Sequence, residues 1–289
     1  MKISVNAYAK INLFLDIVSL REDNYHNILS IMQSVGLHDV ITVDYDDSCN
    51  EKNIKIVCDN ANIPCDSRNL AYKAADLILD SGNVTITIEK NIPSEAGLAG
   101  GSADAAATLL AINQLLGNKY STDELKALGK KLGADVPFCV EGGCCVVEGI
   151  GDKMTKCPPM PILPLVIARM GEGMSTPSAY RKLDEKFNNF KDYSPKQEKL
   201  DILVSTESKT DVLGYCNGLF NIFEEVVEPE RPAITSIKEI LNKHGALGTL
   251  MTGSGTAVFG IFDNEENAIQ ANEELKNIGA TSFVCYPQI

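Results

Sequence analysis

The chain has 289 residues, enough for one large domain or two ordinary ones, and at 44% hydrophobic and 22% charged it has a core to bury. A formal net charge of -13 excludes nucleic acid as the expected partner, because a phosphate backbone calls for clustered Lys and Arg, but it leaves room for a nucleotide held by a few local donors. The N-terminus MKISVNAYAKINLFLDI is interrupted by Asn6, Lys10 and Asn12, and no stretch reaches the roughly 18 apolar residues of a membrane span, so the expectation is a cytoplasmic protein with no membrane partner.

In chain order, ISVNAYAKINLFLDIV, VITVDY, NIKIVC and NVTITIEK read as strands, with one helix among them, NLAYKAADLILDSG, closed by Gly82. A glycine-rich loop follows Val84–Lys90. A helix is predicted from about Ser102 to Leu116, stopped by Gly117-Asn118, and another opens at Ser121-Thr122-Asp123-Glu124 with capping-box spacing and ends at Gly133. CPPMPILP, with prolines at 158, 159, 161 and 164, suits neither helix nor central strand and marks a domain boundary, giving 1–157 and 158–289. Beyond it come the strand LPLVIARM and helical text to about residue 244, with Pro232 near the start of the last helix and Gly245 past its end. Two strands around Gly253-Ser254-Gly255, a polar helix Asn264–Ile278 and the strand TSFVCYP complete an open sheet with helices on one face.

The odd number of cysteines, nine, includes no CxxC pair, and there are only three histidines, which disfavours a zinc site. Cys58, Cys139, Cys144, Cys145 and Cys285 lie in apolar runs, where reduced thiols serve as small hydrophobes.

PSEAGLAGGSADAAA, Pro93 to Ala107, has the order strand, glycine loop, helix that suits phosphate. A helix start offers unpaired N–H groups and about half a positive charge, glycines let those groups converge, and Ser94 and Ser102 add hydroxyls. The spacing fits neither GxGxxG nor GxxxxGK[ST], and no lysine closes the loop. Taken alone, the stretch also fits a glycine-rich connection with a small-residue packing face. Period two in AYAKINLFLDIV places Ile11, Leu13, Leu15 and Ile17 on one face and Tyr8, Lys10, Asn12 and Phe14 on the other. Lys10 then either faces solvent or serves a site. Asp135, in GADVPF, either caps a turn before Pro137 or acts as a base.

The glycine loop, together with AYAKINLFLDI and TGSGTAVFG, resembles the three motifs of the galactokinase, homoserine kinase, mevalonate kinase and phosphomevalonate kinase (GHMP) superfamily, in the correct order across nearly the whole chain. The resemblance implies an α+β, two-domain fold: an N-terminal domain like ribosomal protein S5 domain 2, a C-terminal ferredoxin-like sandwich, and an active site in the cleft between them. It implies ATP as phosphoryl donor, with Mg2+, bound by Pro93, Ser94, Glu95, Ala96, Gly97, Leu98, Ala99, Gly100, Gly101, Ser102 and Ala103. Lys10 matches the lysine placed beside the acceptor hydroxyl and the transferring phosphate, which supplies the charge missing from the loop. Asp135 matches the acid that accepts the hydroxyl proton. Gly253, Ser254 and Gly255 match a turn that supports the loop. Magnesium ligands are left open.

REDNYHNI resembles the Arg-x-Asp-Gly-Tyr-His segment of the branch of that superfamily that phosphorylates the 2-hydroxyl of a 4-diphosphocytidyl-methylerythritol in the non-mevalonate route to isoprenoids. Asn24 replaces the usual Gly, a mild change because Asn tolerates a left-handed turn, and Met32 stands where some relatives have Phe. The resemblance assigns Tyr25 and Tyr180 to stacking on a cytosine, His26 to its hydrogen-bonding edge and Asn12 to the acceptor. The implied partner is a small molecule carrying a cytidine diphosphate, and the protein would be a monomer or homodimer. The alternatives are another small-alcohol kinase of the superfamily, of homoserine or mevalonate type, or a nucleotide-binding member without turnover.

Overall fold

The computed structural model describes residues 1–205 and 211–289. The chain forms two compact units, neither contiguous: Met1–Ala9, Leu37–Ser94 and Ala99–Gly142 make the first, and Lys10–Gly36, Glu95–Leu98 and Gly143–Ile289 the second. The boundary expected at 157/158 lies inside the second unit. Two long strands, β1 (Lys2–Leu20) and β2 (His26–Asp46), give residues to both.

In the first unit, β3 (Lys52–Cys58) leads through α1 (Leu70–Ile78) to β4 (Gly82–Glu89), which lies parallel to β3 and antiparallel to β2, with Val40 opposite Glu89 and Asp46 opposite Asn83. The alternation read in NVTITIEK is the period of a half-buried strand: Val84, Ile86 and Ile88 face the core. α1 starts where the Asn69 side chain accepts from Ala71 N at 2.8 Å. It packs through Ala71, Ala74 and Ala75 on α2 (Gly100–Leu115), whose alanines allow close approach. From Ala103 to Leu109 every residue of α2 is buried, so this helix has no polar stripe. α3 (Thr122–Lys130) opens with the capping box expected of Ser121 and Glu124. α4 (Val136–Glu141) follows, and Gly129 passes so close to it that a Cβ there would meet Val136 Cγ1 at 2.8 Å.

In the second unit, β5 (Cys144–Gly149) pairs antiparallel with β2, from Ile28 opposite Gly149 to Gln33 opposite Cys144, and with β6 (Lys153–Lys156). A separate antiparallel sheet has the order β11-β7-β10-β9, with β7 at Leu165–Arg169. Between β7 and this sheet's later strands come α5 (Thr176–Lys186), α6 (Gln197–Val204), α7 (Val212–Cys216), β8 (Phe220–Asn221), α8 (Glu224–Val227) and α9 (Pro232–Lys243). β9 (Gly248–Met251), β10 (Val258–Ile261), α10 (Glu265–Asn277) and β11 (Thr281–Cys285) finish the chain. α9 and α10 cover this sheet, burying Ile234, Ile237, Leu241, Ala268, Ala271 and Leu275 in one core with Val166, Ala168 and Val258. Among the described residues, no helix is long and apolar enough to cross a membrane. The nine cysteines form no disulfide.

Candidate active site

Lys10 and Asn12 are both buried, at 4% and 1% exposed, so the solvent-facing alternative for Lys10 does not hold. Lys10 Nζ donates to Asn12 Oδ1 at 2.6 Å. The same oxygen accepts from Gly253 N at 3.1 Å and Thr252 Oγ1 at 3.3 Å. Asn12 Nδ2 donates to Ser30 Oγ at 2.9 Å, Ser30 Oγ donates to Phe14 O at 2.6 Å, and Asn12 N donates to Thr252 Oγ1 at 2.9 Å. Every hydrogen-bonding group of the Asn12 amide is thus directed by a neighbour, and Asn12 carries the ammonium of Lys10 against the 252–255 turn. Among the described residues of this unit, no carboxylate pairs with that ammonium. A buried cation met only by an amide dipole has little compensation for its lost hydration, and the environment favours an arriving anion.

The middle of the glycine loop belongs to the same unit. Lys10 N donates to Leu98 O at 3.2 Å, and Ala257 N donates to Ala96 O at 3.1 Å. Gly97 has φ +78, and a Cβ on it would stand 2.2 Å from Thr252 O. The loop and the Gly253-Ser254-Gly255 turn therefore pack backbone on backbone, and Ser254 Oγ shares a 2.8 Å hydrogen bond with Thr176 Oγ1 at the start of α5. Thr256 Oγ1, next to the turn, is buried without a partner among the described residues.

The loop's two arms lie in the first unit. Ala99, at φ 58, begins α2 without a side-chain cap, and Ala103 N already donates to Ala99 O. The N–H groups of Gly100, Gly101 and Ser102 thus form the uncapped first turn of a 16-residue helix. Asp135 precedes α4 but makes no side-chain cap, which removes the capping alternative, and it is only partly buried. A Cβ on Gly133 would lie 3.8 Å from Ser102 Oγ, so the segment entering Asp135 runs beside the first turn of α2.

Three residues that sequence reasoning missed brace this arm. Lys90 Nζ pairs with Asp39 Oδ2, and with Asp104 Oδ2 at 2.9 Å. Asp39 Oδ1 accepts from Asn91 N at 2.6 Å and Ile92 N at 2.8 Å, fixing the chain just before Pro93. Burial pushes the Asp104 carboxyl up to about 7, with the Lys90 ammonium pulling it down and the Asp39 carboxylate pushing it further up. For Lys90, burial opposes the charge, but the two carboxylates outweigh it and the net direction is upward. The lysine in EKNIP, three before a loop proline, was the available sequence signal.

The predicted acceptor residues lie in the second unit. Asp184 Oδ1 accepts from His26 Nε2 at 2.7 Å, and the His26 ring stacks on Tyr180 at 4.6 Å between centroids. Tyr180 also meets the edge of Phe223 at 4.9 Å. His26 and Tyr180 are brought together, whereas Tyr25 is 63% exposed and stacks on no ring among the described residues. Asn24 has φ 63, the left-handed conformation foreseen for it. Asp184 was not foreseen, although it stands four residues after Tyr180, on the same face of α5. Among the described residues, no cluster of three or more His, Cys, Asp or Glu could hold a metal by itself.

Residues 69–143 match the family model for the GHMP kinases N terminal domain, and 212–281 that for the GHMP kinases C terminal domain. The 4-diphosphocytidyl-2-C-methyl-D-erythritol kinase of Caldicellulosiruptor saccharolyticus is 42% identical over 276 residues, covering 94% of this chain and 92% of its own. A solved structure of 4-(cytidine 5'-diphospho)-2C-methyl-D-erythritol kinase superposes with a TM-score of 0.82 at 29% identity, covering 99% of this chain and all of that one. Homoserine kinase from Cytophaga hutchinsonii has a TM-score of 0.71 at 20% identity, covering 100% of this chain and 95% of that one, a likeness of fold.

Proposed function

The chain belongs to the 4-diphosphocytidyl-2-C-methyl-D-erythritol kinase family of the GHMP kinases, and we propose from this that it transfers the γ-phosphoryl group of ATP to the 2-hydroxyl of 4-diphosphocytidyl-2-C-methyl-D-erythritol. The products are the 2-phosphate and ADP. The observation that carries the residue assignment is the buried Lys10 ammonium, held by Asn12 against the turn that packs on the glycine loop.

The N–H groups of Gly100, Gly101 and Ser102 donate to phosphate oxygens, while the bare backbone at Gly97 seats the middle of the loop on Thr252. Lys10 neutralises charge on the transferring phosphoryl group. Asp135, unburdened by capping, accepts the proton of the 2-hydroxyl as that oxygen bonds to the γ-phosphorus and the bond to the bridging oxygen of ADP breaks. Mg2+ bound together with ATP would supply further charge neutralisation on the phosphates.

For the acceptor, Asp184 fixes the His26 ring, so a neutral His26 that donates from Nε2 offers Nδ1 as an acceptor for an exocyclic amine such as that of cytosine. The exposed ring of Tyr25 is available for stacking on the base. The test is coupled ADP release with the cytidyl substrate, homoserine and mevalonate as separate acceptors. Turnover is expected with the first alone. Turnover with another alcohol instead would overturn the acceptor, and ATP binding with no turnover on any would overturn the reaction.

A further inference from the structure

Two cysteines that phosphoryl transfer does not use stand face to face in the second unit. β5 and β6 are antiparallel with Cys145 opposite Lys156, which puts Cys144 opposite Cys157 at the next position, and Cys157 N donates to Cys144 O at 3.0 Å. Their sulfurs are 3.3 Å apart. The strand register sets the approach of the two Cβ atoms, and the rotamers bring the sulfurs together. A disulfide places sulfurs about 2.05 Å apart and Cβ atoms about 3.5–4.5 Å apart. Residues directly opposed across antiparallel strands hold their Cβ atoms about 4.5–5.5 Å apart. Closure therefore asks for a movement of about an ångström, within the reach of a short hairpin. Exposure divides the roles: Cys144 is 6% exposed and Cys157 is only partly buried.

We propose that Cys144 and Cys157 are an oxidative modification site, a dithiol that a hydroperoxide converts reversibly to a disulfide. The Cys157 thiolate attacks a peroxide oxygen, the O–O bond breaks, and the other oxygen leaves as water, or as alcohol from an organic peroxide, leaving Cys157 as a sulfenic acid. Cys144 sulfur then attacks Cys157 sulfur; the S–S bond forms, the S–O bond breaks, and the departing hydroxide takes the Cys144 proton as water. Two thiols and one hydrogen peroxide give one disulfide and two waters. A cellular dithiol reverses the step by exchange. The staple would close the open end of the β5–β6 hairpin where the chain enters the proline segment. There Gln33, opposite Cys144, already accepts from Met160 N at 3.1 Å.

The test treats the folded full-length protein with a small excess of hydrogen peroxide, alkylates the remaining thiols, and maps the peptides by tandem mass spectrometry, which separates Cys144 from Cys145. The expected product has lost about 2 Da, the two thiol hydrogens, and joins Cys144 to Cys157 in a form that dithiothreitol releases. Cys144→Ser should instead let a dimedone-trappable sulfenic acid build up on Cys157, while Cys65→Ser should keep the cross-link. If Cys144 and Cys157 are both alkylated under conditions that oxidise other cysteines, or if the cross-link joins another pair, the assignment is overturned. The wild-type map decides this even should a serine variant fold poorly.

Discussion

Gly97 and Gly253 meet through bare backbone: a Cβ on Gly253 would come within 2.9 Å of Gly97 Cα. Both residues have positive φ, +78 and +60, so neither the space nor the backbone tolerates a side chain. Gly97→Ala is expected to cost about 2–4 kcal/mol and to lower Tm by about 5–10 °C, read by thermal melts. The residual folded enzyme should show a KM for ATP raised at least about tenfold, because the shifted loop presents its amides poorly.

Lys10→Ala and Asp135→Asn each remove charge from the proposed chemistry. Each should lower kcat by about 10³ or more while leaving the far-ultraviolet spectrum unchanged. Asp135→Asn is the sharper case, since Asp135 makes no helix cap and its loss should leave Tm within about 2 °C. Near-normal turnover in Asp135→Asn would remove the base from the mechanism.

Asp104 gives the fold a pH signature. Its carboxyl is raised by burial to about 7 in the folded state, against roughly 4 in an unfolded chain. Between those values the folded state binds the proton that the unfolded state releases, so stability falls as pH climbs through the interval. Lys90 is raised too, but its contribution is complete below about 10.5 and lies outside the window. Denaturant melts from pH 5 to 8 should show a decline on the order of 1–3 kcal/mol that is flatter in Asp104→Asn, where Lys90 keeps its Asp39 partner.

The His26–Asp184 pair is read through substrate affinity. Asp184→Asn should raise KM for the cytidyl substrate by about tenfold and leave KM for ATP unchanged, because the lost partner frees only the His26 ring. Tyr25→Ala should raise the same KM with no change in Tm, given its 63% exposure.

Local signals were the ones legible in the sequence. The Ser121–Glu124 capping box, the glycine loop ahead of α2, and the strand Gly82–Glu89 each rest on neighbours within a few residues. Much of β2 escaped reading: from Ser30 to Val35 every residue is buried, so no alternation marks the strand. β5, beginning with two cysteines and two valines, was hidden for the same lack of period. The contacts that define the candidate site span far greater distances, 240 residues for Asn12 to Thr252, 158 for His26 to Asp184 and 51 for Lys90 to Asp39. Burial of Lys10 could not be read from its own strand, since a lone lysine in apolar text is compatible with either side. Resemblance supplied Lys10, Asn12 and His26 as expectations but not Thr252, Asp184, Lys90 or Asp39, and the hydrogen bonds of Lys10 and Asn12 supply a physical reason for one pair.

The sharing of β1 and β2 between units bears on how the chain is made. A ribosome that has added Gly142 has made every residue of the first unit, but of the second only Lys10–Gly36 and Glu95–Leu98. Those apolar strands must then wait for β5 and β8, which at about 5–20 residues per second means a delay on the order of ten seconds for the rest of the chain. During synthesis, therefore, the nascent polypeptide holds a half-built sheet after the whole of the first unit has been made, a natural client for a chaperone at the tunnel mouth. Protease digestion of ribosome-stalled chains should find the segment 10–36 cut readily at length 180 and resistant at full length.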